Sequence, residues 1–91
     1  MKTKLRNGDS IERGRLLLIW PALYKLHRDH RALFDALWEY VDAQKPLTQG
    51  QMKRLAELGL VVDGRVPEDV VKVLKASYSP SGLTYPEVDD E

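Results

Sequence analysis

Pro46-Leu47-Thr48-Gln49-Gly50-Gln51-Met52-Lys53-Arg54-Leu55-Ala56-Glu57-Leu58-Gly59-Leu60-Val61-Val62-Asp63-Gly64-Arg65-Val66-Pro67 holds one helix with both of its ends, one tight turn and the start of the next helix. Pro46 disfavours helical geometry in Lys45, so a preceding helix stops by that residue. Thr48-Gln49-Gly50-Gln51 has the spacing of a capping box, in which the hydroxyl and the amide side chain each satisfy a backbone N–H. Met52, Leu55, Ala56 and Leu58 form the apolar side of the new helix. Gly59 ends it, because glycine enters the left-handed conformation at little cost, and Leu60 then folds back over the last turn. Leu60-Val61-Val62 and Arg65-Val66 flank Asp63-Gly64, the dipeptide of a two-residue hairpin turn. Pro67 is suited to the first position of a further helix, with Glu68 and Asp69 favouring its positive end and Val70, Val71, Leu74 and Tyr78 as its buried stripe.

Working towards the N-terminus, Leu33, Phe34, Leu37, Trp38 and Val41 recur at steps of one, three and four, with Asp35, Glu39 and Asp42 on other faces. That pattern predicts a helix up to about Gln44. From Leu16 to Leu26 apolar residues fall on nearly every side of the helical wheel, so this segment is buried all round or lies against a partner. Asp9 is its expected cap, with Glu12 three residues on, and Pro21 predicts a break or bend near Ile19 and Trp20. Residues 1–8 read as a flexible arm ending in the turn signal Asn7-Gly8, and residues 9–78 as one globular domain. Residues 79–91 read as an acidic, disordered tail, although the alternation of Leu83, Tyr85 and Val88 would let it dock as a strand. The expected core is Leu18, Leu37, Trp38, Val41, Leu55, Leu58, Val71 and Leu74.

The chain has 91 residues, 43% of them apolar, no cysteine, and 14 basic against 14 acidic side chains. One hydrophobic core fits this length, since domains cluster at roughly 100–200 residues. Without cysteine there is no disulfide, thiolate zinc site or cysteine nucleophile. The apolar run Leu16–Ala22 is far short of the roughly 20 residues that cross a bilayer, and the sequence reads as cytoplasmic with no membrane partner. The zero net charge is a sum of unlike parts: residues 1–31 carry +5, residues 32–62 carry −1 and residues 63–91 carry −4.

No catalytic constellation stands out. His27 and His30 read as a solvated pair rather than a metal site, no serine lies on a glycine-flanked elbow, and the glycines are scattered singly rather than forming a phosphate loop. The expectation is a non-enzymatic domain with no cofactor, no metal and no small-molecule substrate.

Two kinds of partner remain. Trp20 and Tyr24, with Leu16 beside them, supply the aromatic and aliphatic anchors of a protein interface, to a partner protein or to a second copy of the chain. The other reading rests on a resemblance. Arg54-Leu55-Ala56-Glu57-Leu58-Gly59-Leu60-Val61 is similar to the leucine-rich end of a recognition helix leading into a wing, and residues 33–66 resemble part of a winged helix-turn-helix domain. The resemblance implies a transcriptional regulator of double-stranded DNA, with Gln49, Gln51, Lys53, Arg54 and Arg65 reaching base edges and phosphates. The expected fold is mainly α: a small winged-helix-like domain of four helices with one short β-hairpin.

Overall fold

The segment around Thr48 closes at both ends as its residues dictate. In the computed structural model, which describes residues 2–5, 7–86 and 88–90, with side chains for the first two ranges, the Thr48 hydroxyl accepts from the Gln51 N–H at 3.1 Å. The Gln51 side-chain oxygen accepts from the Thr48 N–H at 2.9 Å, completing the capping box. At the far end Gly59 has φ +79°, the Gly59 N–H donates to the Ala56 carbonyl at 3.0 Å and the Leu60 N–H to that of Leu55 at 2.9 Å. These two bonds satisfy the last carbonyls of the helix and bring Leu60 back over Leu55, and both side chains are buried.

In chain order the elements are β1 Lys2–Leu5, β2 Ser10–Glu12, α1 Arg13–Asp29, α2 Arg31–Ala43, α3 Gln49–Glu57, α4 Glu68–Ser77, β3 Tyr78–Ser79, β4 Gly82–Leu83 and β5 Val88–Asp90. The protein is mainly α, with four helices among the described residues. Helix α1 is the centre, packing on α2 and α4, and Leu16, Ile19, Leu23 and Leu26 from it meet Leu33, Phe34 and Leu37 of α2 and Val70, Val73 and Leu74 of α4 in one core. Helix α2 stops at Ala43, where Gln44 takes a left-handed conformation ahead of Pro46. The Asp63-Gly64 turn forms with φ +54° and +75°, and Val62 and Arg65 exchange backbone bonds of 2.9 and 3.2 Å. That bridge is isolated, because Pro67 has no N–H with which to extend the ladder. Pro67 lies one position earlier than expected, as the N-cap residue of α4, and the helix begins at Glu68. No helix among the described residues is long and apolar enough to cross a membrane.

Several expectations are corrected. Within residues 1–8, expected as a flexible arm, Lys2–Leu5 form β1, antiparallel to β2 with Thr3 opposite Ile11. Asn7-Gly8-Asp9 makes the turn: Gly8 has φ +91° and the Asn7 side-chain oxygen accepts from the Asp9 N–H at 3.2 Å. The strand pattern is visible in retrospect, since Thr3, Leu5 and Ile11 are buried while Lys2, Lys4, Ser10 and Glu12 face solvent. Asp9 is consequently not a helix cap; α1 starts at Arg13, with Glu12 as an N-cap residue that makes no side-chain cap. Pro21 does not interrupt α1. It lies on the solvent side of the helix, above the exposed Leu17, so the carbonyl deprived of its donor faces water.

The tail is also partly ordered: β3 pairs with β4, Pro86 is buried, and β5 pairs with β1 to give a three-stranded sheet in the order β2-β1-β5. Met1 and Arg6 of the expected arm, and Glu87 and Glu91 of the expected tail, lie outside the described residues. In the core, Leu37, Leu55 and Leu74 are buried and Trp38, Val41 and Leu58 pack against them, whereas Leu18 is 68% exposed because the buried stripe of α1 runs through the neighbouring positions 16, 19, 23 and 26.

The histidine pair divides. His27 packs edge-on against Phe34 at 4.8 Å between ring centroids, and Phe34 and Trp38 both meet the Tyr78 ring, at 5.1 and 4.8 Å. Its Nε2 is enclosed without a hydrogen-bond partner. His30 instead occupies the junction between α1 and α2. Burial, helped by the Arg31 charge and partly offset by Asp35, lowers the His27 pKa from its ordinary value of 6.5.

Two tests follow from these arrangements. A Cβ built on Gly59 meets nothing within 4 Å, so Gly59→Ala costs only the left-handed backbone. The expected loss is about 1–2 kcal/mol, read as a lower urea midpoint with unchanged slope, with Gly59→Asn milder. For His27, the unfolded chain binds the proton more readily than the folded one, so stability is complete above the unfolded pKa and falls as the pH drops from there towards the lowered folded value. Between about pH 7.5 and about pH 5.5 the melting temperature should therefore fall more in the wild type than in His27→Leu; parallel curves would show that His27 is not the group responsible.

Candidate interaction surfaces

Helix α1 has two apolar sides and the core covers one. Gly14, Leu17, Leu18, Pro21 and Tyr24 recur at helical steps of one, three and four along the opposite side, and all are exposed. Leu17 is 56% exposed, Leu18 68% and Tyr24 47%, a concentration of large apolar surface that single scattered residues do not explain. Beside Leu18 lies a hollow of about 230 Å³ lined by Arg15, Leu18, Ile19, Ala22, Leu58, Gly59 and Leu60, so the turn closing α3 forms one wall of it. Arg15 is held towards α4 by Asp69, with Nε–Oδ2 3.3 Å.

The residues expected at a protein interface divide across this helix. Leu16 is a correction: it is 1% exposed and belongs to the core, one helical step away from the outward row. Trp20 is half-buried, with Tyr24 at 5.9 Å and the Tyr85 ring edge-on at 5.3 Å, so the chain's own C-terminal segment covers part of it. Tyr24 remains outward. Leu17, Leu18 and Pro21 are the members that sequence reasoning missed. The signal was the apolar character of the whole wheel, which shows that a second face exists without saying which face the core takes.

Charge at the C-terminal end of this row is two cations against one acid, Asp29. Lys25 is exposed four residues after Pro21, and Arg28 four after Tyr24, its guanidinium 5.7 Å from the Tyr24 ring centroid. Arg28 also grips Asp29 through two bonds, of 2.9 and 3.2 Å. That hydrogen bond to Arg28 holds the Asp29 carboxyl below its ordinary pKa and raises that of Arg28.

The residues expected to contact DNA form a looser set. Gln49, Lys53 and Arg54 lie on the solvent side of α3, together with Gly50, Ala56 and Glu57. Gln51 is half-buried and its side-chain oxygen is engaged in the capping box, so it is not aimed outward. Arg65 is exposed at the turn, where it lines a groove with Arg15, Val62, Asp63 and Pro67 to which α3 contributes no residue. Three cations and two acids, Glu57 and Asp63, thus occupy α3 and the turn.

No protein-family model matches this chain, and neither a curated protein nor a solved structure matches it significantly.

Proposed function

We propose that this chain is a non-enzymatic protein-binding module and that its docking surface is the solvent side of α1, built from Leu17, Leu18, Pro21 and Tyr24 and bordered by Trp20. The observation that carries this reading is the second apolar row on a helix whose first row already fills the core. An amphipathic helix needs one such row to fold; a second costs solubility and gains nothing for the monomer. Its steps of three and four suit a helix laid alongside, whose own anchors recur at the same spacing. Leu17 and Leu18 are more than half exposed, so Leu17→Asp with Leu18→Asp should cost only about 1 kcal/mol of stability. A peptide-display selection against the full chain should enrich binders that lose at least about tenfold in affinity on that double variant. Enrichment of nothing, or of peptides indifferent to the two substitutions, overturns the reading.

A second reading is favoured by the order of elements at the other end of the molecule. Helix α2, a connection over residues 44–48, helix α3 and the Asp63-Gly64 turn follow one another as in a helix-turn-helix with a rudimentary wing. Gln49, Lys53 and Arg54 face solvent on the helix that would enter the groove. It ranks second because Glu57 and Asp63 offset most of the positive charge there, and phosphate contacts supply most of the affinity for DNA. Lys53→Ala with Arg54→Ala should weaken a low-salt duplex gel shift and lower its salt slope by about 2; a wild-type chain that shifts no duplex at low salt removes this reading.

A further inference from the structure

We infer that the occupant of the α1 surface is an acidic amphipathic helix of another protein; the inference rests on the docking reading above and names its partner. Charge decides the matter. Helix α1 carries Arg13, Arg15, Lys25 and Arg28 against the single acid Asp29. Lys25 and Arg28 border the outward row, each one helical turn beyond one of its members, and both side chains are exposed. Two copies of the chain meeting through this row in parallel would set Lys25 and Arg28 of one against Lys25 and Arg28 of the other. A partner helix with carboxylates beside its apolar stripe meets the opposite sign at the Lys25–Arg28 end of the row, which favours encounter and fixes register. The hollow of about 230 Å³ between Leu18 and the Leu58-Gly59-Leu60 turn adjoins the row at Leu18, and one aliphatic side chain of such a helix would fill it. Arg28 shares its charge with Asp29 and its face with Tyr24, so Lys25 is the cation on which sign discrimination chiefly depends.

The test uses the full chain and three defined probes: a helical peptide with leucines at steps of three and four and glutamates on both flanks, the same peptide with lysines for glutamates, and phosphatidylcholine vesicles containing phosphatidylglycerol. Titration followed by amide chemical shifts should show the glutamate peptide displacing the signals of residues 17–25 and binding at least about tenfold more tightly than the lysine peptide. Lys25→Glu should reduce or reverse that preference while leaving the remaining spectrum in place, and added salt should weaken the glutamate peptide. Equal binding of both peptides, or preference for the lysine peptide, overturns the acidic partner and leaves the docking surface standing. Binding of neither, in a chain whose display-selected peptides still depend on Leu17 and Leu18, overturns the helical acidic occupant alone; independence from those residues overturns both readings. Two further results overturn the partner in favour of another occupant: tighter binding to the vesicles than to the glutamate peptide, or a dimer in sedimentation of the chain alone that Leu18→Asp abolishes.

Discussion

The row Leu16, Ile19, Leu23 and Leu26 on α1 is the contact around which the core is assembled. These four side chains are between 0% and 3% exposed, and α2, α4 and β2 all pack on the helix that carries them. Burying an aliphatic side chain of this size is worth about 1.5–3 kcal/mol, a large share of the stability of a small domain. The row occupies under half of the helix circumference. Because it is narrow, Leu17 and Leu18 fall outside it although they sit between its members in sequence, and the surface proposed for docking is a geometric consequence of the core's own spacing.

The second constraint is local and lies at the ends of α3. That helix has nine residues and buries one of them, Leu55, so tertiary packing alone holds it weakly. Short helices are marginal without caps. The Thr48–Gln51 box and the Gly59–Leu60 closure supply those caps, and the closure also delivers Leu60 and Val61 to the core. The α3 surface is consequently free to carry Gln49, Lys53 and Arg54 outward, and the same closure walls the hollow beside Leu18. One turn of chain thus serves both faces on which partners have been proposed.

How much of this was legible in sequence follows the range of the interactions. Capping, the left-handed glycine and the Asp63-Gly64 turn depend on neighbours within a few residues, and Thr48, Gly59 and Asp63 behave as their chemistry demands. The β1–β2 hairpin carried the same kind of local signal, an Asn7-Gly8 turn between alternating residues, but only four and three residues flank it, and the acids at 9 and 12 compete as a helix start. The fate of Pro21 was not legible, because it depends on which side of α1 meets solvent. The assignment of Leu16 to the interface and Leu18 to the core failed for the same reason: on a wheel apolar all round, inside and outside are decided by α2 and α4, elements distant in sequence. His27 was read as solvated because its polar ring gives no hint that Phe34 and Tyr78 close over it.

The two ends of the chain meet in one sheet. Strand β1 carries Lys2 and Lys4, β5 carries Asp89 and Asp90, and the register sets Lys4 opposite Asp89 and Thr3 opposite Asp90. The pairing therefore brings the first and last strands of the chain side by side in one sheet. Arg15 with Asp69 and Arg31 with Asp35 neutralise cations of the first third within the fold. Lys25, beside the outward row of α1, makes no ion pair among the described residues, although its charge helps to hold the Asp29 carboxyl down. A neutral chain thus retains a cationic border next to its largest exposed apolar surface, and the sign of that border is what selects among the partners such a surface could take.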